Sequence, residues 1–165
     1  MSIPRIARHL LATRRQVQRA FPRATLLAIE QAIKESETAH VGEIRFAVEG
    51  ALDGLPLLNG QSARERAIDV FSQLRVWDTE HNNGVLIYLL LADRHVEIVA
   101  DRGVHARVGS QEWETICRQM EAAFRQGRYR EGAISGIQAV TRHLAAHFPP
   151  SNNRRNDLAD KPVLL

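Results

Sequence analysis

The chain of 165 residues holds a single cysteine, Cys117, which excludes an internal disulfide framework. Its neighbours in sequence are apolar at helical spacing, and no base stands near it. It reads as a small buried hydrophobe in a reducing compartment and not as a nucleophile. Aromatic residues make up only 5% of the chain, and no nucleic-acid-binding motif is present, which argues against a nucleic-acid partner. Long hydrophobic runs are absent too. The longest, Val85 to Ala92, has the length of a strand and not of a membrane span. No continuous apolar segment precedes a small-residue cleavage site near the N-terminus, so no signal peptide is read. The expectation is a cytoplasmic protein, with peripheral attachment to the inner membrane as its membrane option.

Catalytic signatures are equally sparse. There is no Gly-x-Ser-x-Gly elbow and no P-loop lysine, and Gly103 and Gly109 fit ordinary loops. His143 and His147 stand four apart, but Leu144 follows the first where a zinc-protease helix has Glu. They read as the solvated edge of a helix. Phosphatase chemistry would therefore need metal-activated water.

Acidic residues are missing from residues 1–23, which carry Arg5, Arg8, Arg14, Arg15, Arg19 and Arg23. That segment contributes +6 to a net charge of +3, so the remainder sums to −3. On a wheel of about 100° per residue, Ile3, Ile6, Leu10, Val17 and Phe21 share one face and four arginines the other. The spacing predicts one basic amphipathic helix over residues 1–22, broken by Pro22. Its arginines are either the solvated side of a helix packed on the domain or a surface for an anionic membrane.

Residues 23–148 have the pattern of an α/β domain. Leu26, Ile29 and Ile33 repeat at helical spacing. Ile44, Phe46 and Val48 alternate with Arg45, Ala47 and Glu49, predicting a strand with one apolar face. Gly50, Gly54, Pro56, Asn59 and Gly60 mark a loop. Ser62 and Glu65 have capping-box spacing and open a helix with the stripe Ala63, Ala67, Val70 and Leu74. Val85 to Ala92 is apolar on both faces, as in a central strand covered on both sides. His95 to Ala100 alternates around Val96 and Ile98 and completes a hairpin through Asp93-Arg94. Trp113, Ile116, Met120 and Phe124 line one further helix, and Ala133, Ile137, Val140, Leu144 and Phe148 line the last. The polar run after Pro149-Pro150 has no periodicity, which predicts a disordered tail over residues 149–165. The order is α-α-β-α-β-β-α-α: a three-layer α/β/α sandwich on a small mixed sheet, built from a parallel β-α-β crossover plus an antiparallel hairpin, with extra N-terminal helices.

NNGVLIYLLLADRHVEIVADRG, followed by a helix and then AAFRQGRYREGAISGIQAV, resembles the TPM domain family, which has thylakoid-lumen and photosystem-repair members. The resemblance spans roughly residues 43–144, with Phe124, Gly127, Tyr129 and Gly132 matching the family's helix junction. It implies an α/β/α sandwich. It also implies calcium binding, as in some members, or acid phosphatase activity on phosphomonoesters, as in plant members. It is similar to the bacterial subgroup that lies beside LemA-type membrane proteins, which implies an interaction module with a membrane-associated partner. Two positions depart from the family pattern: Asn82 stands where the family has Asp before Asn-Gly, and Asp101-Arg102-Gly103 replaces Gly-x-Gly.

A two-residue turn at Asp93-Arg94 pairs residues whose numbers sum to 187, so that Leu86 faces Asp101. Asp78, Asn82, Asn83 and Asp101 then lie at one end of the sheet. Their oxygens suit calcium or another hard divalent cation, which takes six to eight oxygen ligands. The alternative is a solvated loop whose Asn82-Asn83-Gly84 supplies turn conformations.

Overall fold

The computed structural model describes residues 3–151 and 156–165. Its elements are α1 (Ile3–Leu11), α2 (Arg14–Ala20), α3 (Arg23–Ser36), β1 (Glu43–Glu49), α4 (Gly54–Leu58), α5 (Ala63–Gln73), β2 (Gly84–Leu90), β3 (His95–Ala100), α6 (Arg102–Val108), α7 (Ser110–Arg125), α8 (Tyr129–His147) and β4 (Val163–Leu164). The sheet runs β3-β2-β1-β4. β1 is parallel to β2 and to β4, and β3 is antiparallel to β2. This is the mixed sheet of a three-layer α/β/α arrangement, as the alternation of elements predicts.

Strand alternation divides the core in two. Ile44, Phe46, Val48, Val85, Ile87 and Leu89 join a cluster with residues of α2, α3, α7 and α8. Ala47, Leu86, Tyr88 and Leu90 face the opposite way, toward α4 and α5. Every residue of β2 is buried, because both of its faces are covered. The capping box forms as its spacing predicts: Ser62 Oγ accepts the Glu65 amide at 3.1 Å, and Glu65 Oε2 accepts the Ser62 amide at 2.8 Å.

Five expectations are corrected. The helix over 1–22 is two helices, because the Thr13 amide donates to Gln16 Oε1 and starts a new turn. Ile6 then packs with the α5 side of the core, whereas Val17 and Phe21 pack with the α8 side. Leu10, one of the five residues assigned to the single apolar face, stands 74% exposed. β1 has no solvated face: all seven residues are buried, since α5 and the C-terminal tail cover its polar side. The loop over 50–60 carries the short α4, and α6 precedes α7. The hairpin turn takes four residues, Leu91 to Arg94, with the Arg94 amide donating to Leu91 O at 3.0 Å. Without a glycine, Arg94 itself adopts φ 51°, and the pairing sum becomes 185. The shift of two keeps every side chain on its face and sets Asp101 beside Gly84.

The tail is the fifth. Residues 156–165 return to the sheet, where Val163 pairs with Ala47 and Leu164 with Val48. The buried Arg45 guanidinium donates to Ala159 O and, at 3.4 Å, to Lys161 O. A polar segment without periodicity is ordered here by a partner more than 100 residues away in sequence. Residues 152–155 of the expected tail lie outside the described residues.

Candidate functional site

The amino ends of β1 and β2 hold the residues that the sequence suggests as cation ligands. Asp101 closes β3 and caps α6, with Oδ1 accepting the Arg102 amide at 2.7 Å. Its other oxygen, Oδ2, is buried and has no hydrogen-bond partner among the described residues. The Asp101 amide donates to Gly84 O and the Gly103 amide to Asn82 O, so the loop before β2 and the start of α6 are sewn together. Asn82 takes φ 50°, a left-handed conformation that asparagine tolerates.

Asn83 and Asp78 go elsewhere. Asn83 is buried, and its Nδ2 donates to Val41 O at 2.8 Å, on the β1 side. Asp78 is half exposed and pairs with Arg75 at 2.7 Å. The Asp101 segment and Asn82 therefore meet through backbone, Asn83 turns toward β1, and the Asp78 carboxylate is bound to an arginine. A Cβ on Gly84 would fall 2.0 Å from Val76 O, so that carbonyl lies hard against the start of β2. Among the described residues no group of three or more His, Cys, Asp or Glu is arranged to hold a metal ion. The donor set thus supplies one buried, unpartnered carboxylate oxygen, where calcium takes six to eight oxygen ligands. Glu43, which opens β1 and is buried, joins this end through the Asp157 amide of the tail at 3.4 Å. Sequence reasoning placed it only as a strand residue.

The carboxyl ends of the same strands are built differently. The arm formed by α1 and α2 bends across them. The His9 ring is buried; its Nδ1 accepts the Leu52 amide at 2.9 Å, just past β1. Its Nε2 lies 3.1 Å from Asp93 Oδ1, off the ideal hydrogen-bond axis. Arg5 Nε donates to Asp93 Oδ2 at 2.8 Å, and Arg5 also donates to Gln61 O. Burial by itself would raise the Asp93 pKa, but the Arg5 hydrogen bond and the close approach of Arg5 and His9 outweigh it and hold the carboxylate below its ordinary range. Part of the arginine face is thus a latch onto the domain. Behind the latch runs a groove of about 680 Å³, lined by Arg8, Arg19, Arg94 and Tyr129 among others.

A buried network braces this end from the α5 side. Arg66 binds Glu49 through Nε and Nη2, and the Tyr88 hydroxyl donates to Glu49 Oε2 at 2.6 Å. Burial, with the Glu49 bond, raises the Tyr88 pKa far above that of a free phenol, so Tyr88 stays a donor.

At the outer edge of β3 lies a cleft of about 470 Å³. His95 bridges two carboxylates there, Glu97 at 2.9 Å and Glu121 at 3.0 Å, and these meet Arg64 and Arg125 in turn. The Glu97 bond raises the His95 pKa against partial burial. Glu121 also accepts the Val96 amide and Arg64 binds Ile98 O, so side chains cap the exposed strand edge. Cys117, in the same wall, has its thiol pushed up to about 12 by burial, in keeping with an inert hydrophobe. His143 stacks edge-on against Trp113 and lies 3.8 Å from Glu112, and His147 is exposed.

Known proteins share this architecture. The NMR structure of the BA42 protein from the psychrophilic bacterium Bizionia argentinensis superposes with a TM-score of 0.75 at 29% identity, covering 86% of this chain and 93% of that one. The N-terminal domain of a protein from P. gingivalis, solved by solution NMR, shares the fold at a TM-score of 0.59 and 22% identity, covering 76% and 77%. No curated protein matches. No helix among the described residues is long and apolar enough to cross a membrane. The family profile described as the TPM domain matches residues 17–143, so the α2-to-α8 body, with its parallel β1–β2 pair and β3 hairpin, places this chain in the TPM domain family.

Proposed function

We propose that this TPM domain is an interaction module that rests its N-terminal elbow on an anionic membrane surface and there meets a membrane-associated partner. One observation carries the reading. Leu10 and Leu11 at the elbow are 74% and 72% exposed, and exposed Arg8, Arg14, Arg15 and Arg19 flank them. Inserting two leucines contributes about 4 kcal/mol, and each arginine near an anionic surface adds about 1 kcal/mol. Neither term suffices alone, and together they give reversible attachment.

The test is cosedimentation with vesicles of phosphatidylglycerol in phosphatidylcholine, against phosphatidylcholine alone. Leu10→Glu/Leu11→Glu should lower retention about 100-fold. Equal retention of variant and parent would sink the reading. Point variants are needed, because deleting residues 1–22 would also remove Val17, Ala20 and Phe21 from the core.

The unpartnered Asp101 Oδ2 favours a second reading, in which a divalent cation completes the amino end and, in the phosphatase variant of that reading, activates water against a phosphomonoester. Calcium titration followed by amide NMR decides it. Saturable shifts at residues 82–84 and 101–103 that vanish in Asp101→Ala support the cation. Their absence at about 10 mM calcium removes it. Metal-dependent hydrolysis of a generic phosphomonoester would then separate enzyme from binding module.

A further inference from the structure

We infer that the groove behind the elbow is an anion site that takes a phosphate group, such as a phospholipid headgroup presents. The groove sits outside the carboxyl ends of the parallel β1–β2 pair, where open α/β sheets place ligands. Three arginines from separate elements reach it: Arg8 from α1, Arg19 from α2 and Arg94 from the hairpin turn. Arg19 and Arg94 have no ion-pair partner among the described residues, and Arg8 keeps only a 3.5 Å approach to Asp93.

Asp93 is the one acid in the lining, and its charge is already met. Arg5 occupies Oδ2, while His9 and Arg8 approach Oδ1. The latch that fixes the arm therefore also removes the negative charge that would repel an anion. Planar guanidinium groups from three elements match a phosphate better than a point anion such as chloride, because each offers paired N–H donors. Tyr129 also lines the groove, and its ring is stacked on Phe124 at 5.4 Å, which holds it in place. Arg8 and Leu11 line the groove from outside the matched segment 17–143, so the site is a feature of this chain and not of the TPM core alone.

Lipid as the source of the phosphate rests on the membrane reading; the anion site does not. The same chemistry is offered by free phosphate, so the experiment has two arms. In the first, inorganic phosphate is titrated and followed by amide NMR, with chloride at matched ionic strength as control. Saturable shifts are expected at Ala92, Arg94, Gly127 and Tyr129, with residues 82–84 and 101–103 unmoved. Arg19→Gln/Arg94→Asn should weaken phosphate about tenfold or more. Both changes suit their backbones: glutamine favours the helix, and asparagine tolerates the left-handed conformation. No saturable shift up to about 50 mM phosphate, or the same shift with chloride, overturns the site.

In the second arm the same variant is tested on phosphatidylglycerol vesicles, beside Leu10→Glu, which changes the exposed elbow outside the groove lining. A fivefold or greater loss of vesicle binding in the arginine variant supports the headgroup as source. Unchanged vesicle binding, with phosphate binding lost, overturns the lipid source and leaves the site to a soluble phosphate. Leu10→Glu should keep its phosphate shifts, because Leu10 does not line the groove. If it also binds vesicles like the parent, the membrane reading fails while the anion site stands.

Discussion

At the amino ends of β1 and β2, the polar groups are buried and bound into the fold. Asn83 serves Val41, Asp101 caps α6, and Gly84 lies against the Val76 backbone. At the carboxyl ends, the strands finish under an arm whose α1 is latched to Asp93, Gln61 and Leu52 and which leaves arginines and leucines exposed around it. Both ends carry polar residues next to glycine or turn positions, so composition does not separate them. What separates them is how many polar atoms are already satisfied. An end whose groups are consumed by the fold has little left for a ligand, apart from Asp101 Oδ2. An end with surplus cations has binding capacity.

The contrast can be broken most forcefully at Gly84. A Cβ there meets a backbone oxygen at 2.0 Å, which cannot yield without moving the segment before β2. Gly84→Ala should cost about 3 kcal/mol or more in urea unfolding. A loss under about 1 kcal/mol would show that the amino end is not tightly built.

Asp93→Asn tests the latch. It should cost about 2 kcal/mol at neutral pH, since a charged hydrogen bond to Arg5 is lost, and it should open residues 3–20 to protease. The sign with pH is set by the depressed folded-state pKa. The contribution is present above the unfolded value near 3.9 and disappears as pH falls through the folded value. The gap between parent and variant should therefore close in acid. A gap constant from neutral pH down to about pH 2 would mean that charge is not what holds the arm.

The smallest effect lies at the β3 edge. His95 is half exposed, so its bridge between Glu97 and Glu121 is worth only about 0.3 kcal/mol. Its folded-state pKa is raised, so the stabilisation is complete below about pH 6.5 and is lost as pH rises through the folded value. His95→Gln should be less stable than the parent at about pH 5.5 and equal to it at about pH 9. A difference that grows with pH would refute the bridge.

Local pattern determined a good deal of this protein. Val85 to Leu90 reads as a doubly covered strand because both faces are apolar. Ser62 and Glu65 read as a cap because the bond closes within one turn. The α7 and α8 stripes are legible because each repeats on its own helix. Tertiary structure alone decided the rest, and in each case the partner is distant in sequence. The hairpin register depends on Arg94 taking a left-handed turn that no dipeptide rule assigns to arginine. β4 forms because Arg45 binds tail carbonyls 114 and 116 positions away and the Val48 carbonyl at the β1 edge accepts the Leu165 amide. The arm's charge became part latch and part groove only when Asp93, 88 positions from Arg5, was brought beneath it. Periodicity reports which face a residue occupies. Which polar atoms remain free once the faces have met is a property of the folded chain, and at both ends of this sheet that remainder is where binding capacity lies.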